Sequence, residues 1–496
     1  MKKVSLVFIL LFSVLVSQGQ VVLTDGCKQA YNDILSLKFN DARIQLQSEK
    51  VFNPNNTYIV YLENYIDFLT LFIGENEDDF HFLEDNKSDR IKQINKLSDE
   101  SPYKKYMLGN IHLQWAVARL KFGEYFTAAF EINRAYRLLD ANSRDFPEFV
   151  PNNISLGILH IMIGLVPDKY QWVLNVISME GNVEQGRTEL SNVLQKSKTD
   201  PAYVYLKDET LFYLGFIELN INPDKKKALA LLKELDEAKH DNLLISYLVI
   251  NILIKTGQNE KVLNEFDLIA DRTDYLPFYY LDYLHGECLL NKLESIAARK
   301  KYVLFLENFS GKNYLKDALR KKAWTHLLDG DTLDYFYTLK QILLLGNDDV
   351  DSDKQAEFDA VNQIIPNIEL LKARLLFDGG YYSKADSVLD KIDLTVLTTD
   401  QKLERYYRKA RIADESGDIE KAKITYLQTV ENGKDSQRYF AGNAALKLAG
   451  IYESEGDFEQ AEYFYRSCLK MDFIEYETSI HSKAKAGLKR VVDKQD

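Results

Sequence analysis

The sequence predicts an all-α chain built as a solenoid of stacked α-helical hairpins, and three observations carry that prediction. Glycines at 380, 417 and 456 fall 37 and 39 residues apart, each between two amphipathic stretches. That is the period of a helical-hairpin array, in which each unit buries its apolar face only against a neighbour. Only 9 prolines and 23 glycines punctuate the 496 residues, too few for the many turns of an all-β protein. Apolar residues make up 46% of the chain, so a core is within reach along its whole length and disorder is excluded.

The N-terminus has the layout of a secretory signal over residues 1–19. Lys2 and Lys3 begin it, an apolar stretch runs over 4–16, and Ser17, Gln18 and Gly19 lead to cleavage before Gln20. The stretch falls short of the roughly 20 residues that span a bilayer, so export is expected, to the periplasm or outer surface of a Gram-negative bacterium. A surface lipoprotein would need acylation at Cys27, which lies too far beyond the apolar run. The formal charge of −13, about −15 once Lys2 and Lys3 are removed, disfavours nucleic acid and anionic lipid as partners. Three cysteines exclude a disulfide scaffold, and Cys288 and Cys468 read as buried packing residues.

Residues 20–110 read as an N-terminal helical region: two short helices within 30–47 joined at 39–41, a loop at 51–56, an aromatic helix at 58–72, an acidic solvated break at 75–79 and a helix cap at 98–102. Residues 111–360 read as degenerate hairpins. The first covers 112–139, with Trp115, Ala116 and Leu120 facing a partner helix and a turn at Gly123. An insert at 166–186, rich in apolar residues (Trp172, Leu174, Val176, Ile177, Met179), displaces the second helix of the next. Further turns fall at Gly257 and Gly330. Three clear repeats fill 361–475, and 476–496 forms a capping helix with Ile480, Ala484, Leu488 and Val491 on one stripe.

The run Leu448, Ala449, Tyr452, Gly456, Asp457, Phe458, Ala461, Tyr465 and Cys468 resembles a tetratricopeptide repeat. So does Ala410, Ala413, Gly417, Ala422 and Tyr426, and to a lesser degree Ala373, Leu376, Gly380, Ala385 and Leu389. The resemblance implies a right-handed superhelix whose first helices line a concave groove for peptides. The repeat-closing proline is missing, and the intervals exceed the family's ~34 residues. The 156–186 region, with Gly157, Gly164, Pro167, Gly181 and Gly186, is similar to an insert in a eukaryotic tetratricopeptide family linked to lipid droplets and inclusion bodies.

No nucleophile elbow, phosphate loop or dinucleotide fingerprint is present, so no catalysis and no cofactor are expected. The seven histidines are scattered, and His285 with Cys288 on one helical face does not make a metal site. Asp349, Asp351 and Asp353 imitate half a calcium loop, but Lys354 stands where glycine is needed and Ala360 where a glutamate should be. They read instead as a solvated loop with helix-capping aspartates.

Binding is what remains. Arg374 and Arg411 both lie six residues before a turn glycine, Tyr407 shares the Arg411 stripe one turn earlier, and Asn443 and Lys447 project the same way from the last repeat. Cations and amides converging in an acidic protein suit the clamping of a peptide carboxylate or an acidic segment. The bland alternative pairs both arginines with Asp378, Asp414 and Glu415. The sequence therefore reads as a non-catalytic scaffold for a protein or peptide partner. A lipid or small-molecule carrier with an apolar pocket near 156–186 is the alternative, ahead of a glycan-active enzyme.

Overall fold

The structure, a computed structural model, describes residues 19–166, 179–221, 225–236, 239 and 241–495. Residues 1–18 of the signal expected at 1–19 lie outside the described residues, and so do Trp172, Leu174, Val176 and Ile177 of the insert. Among the described residues the chain is α-helical with short 3-10 turns. The one β feature among the described residues is an isolated bridge between Gln20 and Asn56. The all-α class and the hairpin array expected from the sequence are what the chain forms. Its helices divide into two compact units, one of 1–223, 233–248 and 272–277, the other of 224–232, 249–271 and 278–496.

One short local code makes the hairpins. Gly123, Gly257, Gly330, Gly380, Gly417 and Gly456 all adopt φ between 69° and 82°, the left-handed conformation that closes a helix at little cost to glycine. Leu293 takes the same conformation, φ 66°, between helices Tyr280–Asn291 and Ser295–Asn308. That hairpin carries no glycine mark. Where Asp follows the glycine it caps the next helix: Asp331, Asp418 and Asp457 accept from the amides of Asp334, Lys421 and Gln460 at 3.0, 3.3 and 3.1 Å.

In the first unit, Pro102–Lys121 and Tyr125–Asp145 make the first full hairpin, with Trp115 and Ala116 buried. Leu120, expected to face the partner helix, is instead 36% exposed. The break expected at 75–79 is confined to 75–76, between helices Thr57–Gly74 and Glu77–Leu83, and Glu77, Asp78 and Asp79 are exposed. Asn76 caps helix Glu77–Leu83, and Glu77, Asp78 and Asp79 form its first turn, where the helix dipole favours acids. The second helix after Asn152–Gly164 is Val183–Thr199, so the last residues of the 166–186 stretch are already helical, with Gly186 seated on Gly157. Met179 is buried. At the heart of this unit Glu209, buried, accepts from the hydroxyls of Tyr31 and Tyr65.

In the second unit the hairpins follow one another: Leu315–Leu328 with Thr332–Gln341, Ile368–Asp378 with Tyr382–Asp390, Thr399–Glu415 with Ile419–Gly433, and Phe440–Glu455 with Phe458–Leu469. Ala410, Ala422, Ala444, Ala449, Ala461 and Tyr426 form a continuous core in which alanines admit close helix approach. Ile480, Ala484 and Val491 of helix Glu477–Gln495 cover its end, with Leu488 partly buried beside them. The array also meets itself out of sequence. The Gly257 turn lies against the Gly380 turn, Asn259 donates to the Tyr381 hydroxyl at 3.0 Å, and that hydroxyl donates to Glu260 at 2.8 Å. Lys225 reaches Glu415 at 2.8 Å. An open array in which units touch only their sequence neighbours does not describe this.

Asp353, read as part of a solvated loop, is fully buried. Its carboxylate accepts from the amides of Tyr314 at 2.6 Å and Asp317 at 2.8 Å, capping helix Leu315–Leu328 from another helix, Asp351–Val361. Burial pushes its pKa up to about 6 against the pull of those amides. The free backbone donors at a helix start recruit the carboxylate inward. A linear motif comparison carries no sign of that.

Candidate functional site

The first helices of the second unit place Arg374, Tyr407, Arg411 and Asn443 around one cavity of about 260 Å³. That is room for about eight waters at about 30 Å³ each. Each residue is set by its own helix: Arg374 by Ile368–Asp378, Tyr407 and Arg411 by Thr399–Glu415, and Asn443 by Phe440–Glu455. The alanines at neighbouring positions turn inward to the helix contacts, which leaves these longer side chains on the opposite, open side.

Tyr407 is the hub. Its hydroxyl oxygen accepts from Asn443 Nδ2 at 2.7 Å and from Arg411 Nη1 at 3.2 Å. The guanidinium of Arg411 lies over the Phe377 ring at 4.5 Å and that of Arg374 over Trp324 at 5.1 Å. Stacking uses a guanidinium's face and leaves its edge N–H groups available. Arg374 approaches Asp378 only at 3.8 Å, an ion-pair distance without a hydrogen bond. Among the described residues Arg411 has no carboxylate within ion-pair reach, and its Nε is buried without a partner. The acids that could have neutralised it are engaged elsewhere: Asp414 accepts from Tyr426 at 3.0 Å and Glu415 binds Lys225.

Lys447 does not line this cavity. It stands one turn beyond Asn443, and burial followed by the nearby Arg411 charge lowers its ammonium's pKa. The wall contains residues that sequence spacing did not single out: Phe377, Arg408, Tyr439, Tyr476 and Lys483. Arg408, next to Tyr407, is neutralised by Glu404. Tyr476, φ 59°, comes from the link into the last helix, so no repeat position marks it. Arg374, Arg408, Arg411 and Lys483 face a single carboxylate, Asp378, in this cavity. The acidity of the chain as a whole does not extend into it.

A second cavity of about 240 Å³ adjoins the first through Arg374, Arg408, Tyr439 and Tyr476. Its wall is mixed, with Ile364, Ile365 and Leu371 beside Trp324 and Arg320. Here charges are balanced. Glu475 is paired with Arg438 at 3.0 Å, and Arg320 with Asp317.

His285 stacks on Phe266 at 4.3 Å, and Cys288 is buried and free, so the two are packing residues. Cys27 and Cys468 are also buried and free. His326, Asp331 and Asp334 bring one ligand atom each within 4.8 Å of one another, but both aspartates are exposed and Asp331 already caps its helix. No helix among the described residues is long and apolar enough to cross a membrane.

No protein-family model and no curated protein sequence matches the chain. Among solved structures it is similar to an IFIT1 monomeric mutant with Gppp-AAAA, at 14% identity and a TM-score of 0.32, over 96% of this chain and 98% of that one. A second IFIT1 monomeric mutant, with m7Gppp-AAAA, is similar at 14% identity and a TM-score of 0.29, over 96% and 98% of the two chains.

Proposed function

We propose that this chain is an exported, non-catalytic scaffold whose second unit holds an extended acidic segment of a protein partner along its first helices. One observation supports this above the rest: Arg374, Tyr407, Arg411 and Asn443 line one cavity in which cations outnumber carboxylates. Arg and amide donors fixed by stacking and by Tyr407 are pre-organised for carboxylate oxygens, so little ordering is needed when the segment arrives. The adjoining cavity, with its Ile364, Ile365 and Leu371 wall, suits an apolar side chain of the same segment.

The test is recovery of crosslinked partners from the native compartment with the full chain and with the Arg374→Glu/Arg411→Glu double variant, alongside binding of a glutamate-rich and a lysine-rich peptide. Loss of partners and of glutamate-peptide binding in the double variant, with lysine-peptide binding negligible throughout, is expected. Unchanged recovery with the charge-reversed chain overturns the reading.

A further inference from the structure

The donors around Tyr407 exceed what the cavity's own acceptors use. The Tyr407 oxygen receives two hydrogen bonds, from Asn443 and Arg411, so its own O–H hydrogen is left to give. No acceptor for it occurs among the described residues, although the side chain is buried, 1% exposed. The Nε of Arg411 is a second buried donor without an acceptor. Lys483 on the last helix lines the same cavity and is exposed. Buried donors left unmet are unfavourable, which marks the spot for a guest that brings acceptors and no hydrogens.

A carboxylate brings two oxygens and one negative charge. A phosphate monoester brings three strong acceptor oxygens and about −1.5 to −2 charges. Arg374, weakly held by Asp378, together with Arg411 and Lys483, leaves more positive charge than one carboxylate offsets. The donors also approach from different helices, which matches the spread of oxygens on a tetrahedral group better than a planar one. Resting on the partner-binding reading above, we infer that the group seated between Arg374, Tyr407 and Arg411 is a phosphate monoester on the partner's side chain.

The experiment uses the full chain and three peptides of one sequence carrying Ser, Glu or phosphoserine at the centre, with inorganic phosphate and acetate as competitors. The phosphoserine peptide is expected to bind about tenfold more tightly than the Glu peptide, a difference of about 1.4 kcal/mol. Phosphate is expected to displace it where equal acetate does not. Tyr407→Phe and Arg411→Lys should each weaken the phosphoserine peptide severalfold while barely moving the Glu peptide. Lys483→Ala, exposed and without a packing role, should weaken it as well and guards against a folding artefact. Equal affinity for the Glu and phosphoserine peptides, lost on charge reversal at Arg374 and Arg411, removes the phosphate assignment and leaves the acidic-segment reading standing. Arg411-dependent binding of inorganic phosphate with no peptide binding keeps the phosphate site and removes the partner reading. Phosphate binding indifferent to Arg411 and Tyr407 overturns the inference.

Discussion

Tyr465 donates its hydroxyl hydrogen to Glu453 across the Gly456 hairpin, Oη to Oε2 2.7 Å. The two residues stand nine after and three before the turn glycine. Tyr426 and Asp414 hold the same places around Gly417 and make the same bond at 3.0 Å. At the corresponding places around Leu293 the tyrosine is kept as Tyr302, but its partner is Leu290. Its hydroxyl is buried with nothing to bond.

The same substitution should therefore act differently in two hairpins. Tyr465→Phe removes a hydrogen bond to a charged acceptor and should cost about 1.5–3 kcal/mol. Tyr302→Phe removes only an unmet hydroxyl and should be neutral or stabilising by about 1 kcal/mol. Urea midpoints of the two variants decide it; equal losses would refute the latch.

Ala461 is fully buried in the core it shares with Tyr465 and Cys468. Ala461→Arg should destabilise the last repeat by more than the about 1–3 kcal/mol of simple overpacking, because a charge is also driven inside. Hydrogen exchange within 440–490 should report it first. Unchanged thermal unfolding would contradict the placement.

Two turn glycines with nearly the same φ, 80° and 81°, should respond unequally to alanine. At Gly417 a Cβ meets nothing within 4 Å. Gly417→Ala should thus carry only the left-handed strain, about 1–2 kcal/mol. At Gly380 it would sit 1.9 Å from the Gly257 carbonyl oxygen, so Gly380→Ala must push two backbones apart. Its urea midpoint should fall well below that of Gly417→Ala.

Glu131 supplies a pH dependence whose sign is fixed. Burial would raise its pKa, but hydrogen bonds from His112 and Lys87 outweigh it and bring the value down to about 2 from 4.5. A carboxyl more acidic in the folded state adds stability above about pH 4.5 and loses it as pH falls from there through about 2. Glu131→Gln should be less stable at pH 7 and should show a shallower fall between pH 4.5 and 3, measured as urea midpoints. An equally steep fall would assign the acid sensitivity to other groups.

The turns were legible in the sequence because glycine at a left-handed position and aspartate at a helix start are local necessities. Arg374, Tyr407, Arg411 and Asn443 were singled out by their register against those turns, and the helices bring them to one cavity. Lys447 shares the register but not the lining, since one further turn carries it past the opening. What stayed hidden depends on residues far apart in the chain. Asp353 looked solvated because its partners, the amides of Tyr314 and Asp317, belong to another helix. Glu209 meets Tyr31 and Tyr65 across more than a hundred residues. Around Leu293 the spacing of Gly286, Leu289, Ala298, Tyr302 and Phe305 marks the hairpin, but no glycine marks its turn.

The meeting of Gly257 with Gly380 fixes the number of hairpins between them. Arrays joined only end to end grow or shrink by duplication, since each added copy finds the same neighbour. Here an extra copy spliced in between 268 and 368 would carry the two turns out of register, severing Asn259 and Glu260 from Tyr381. Duplication within that stretch therefore carries a penalty that an array joined only end to end never meets.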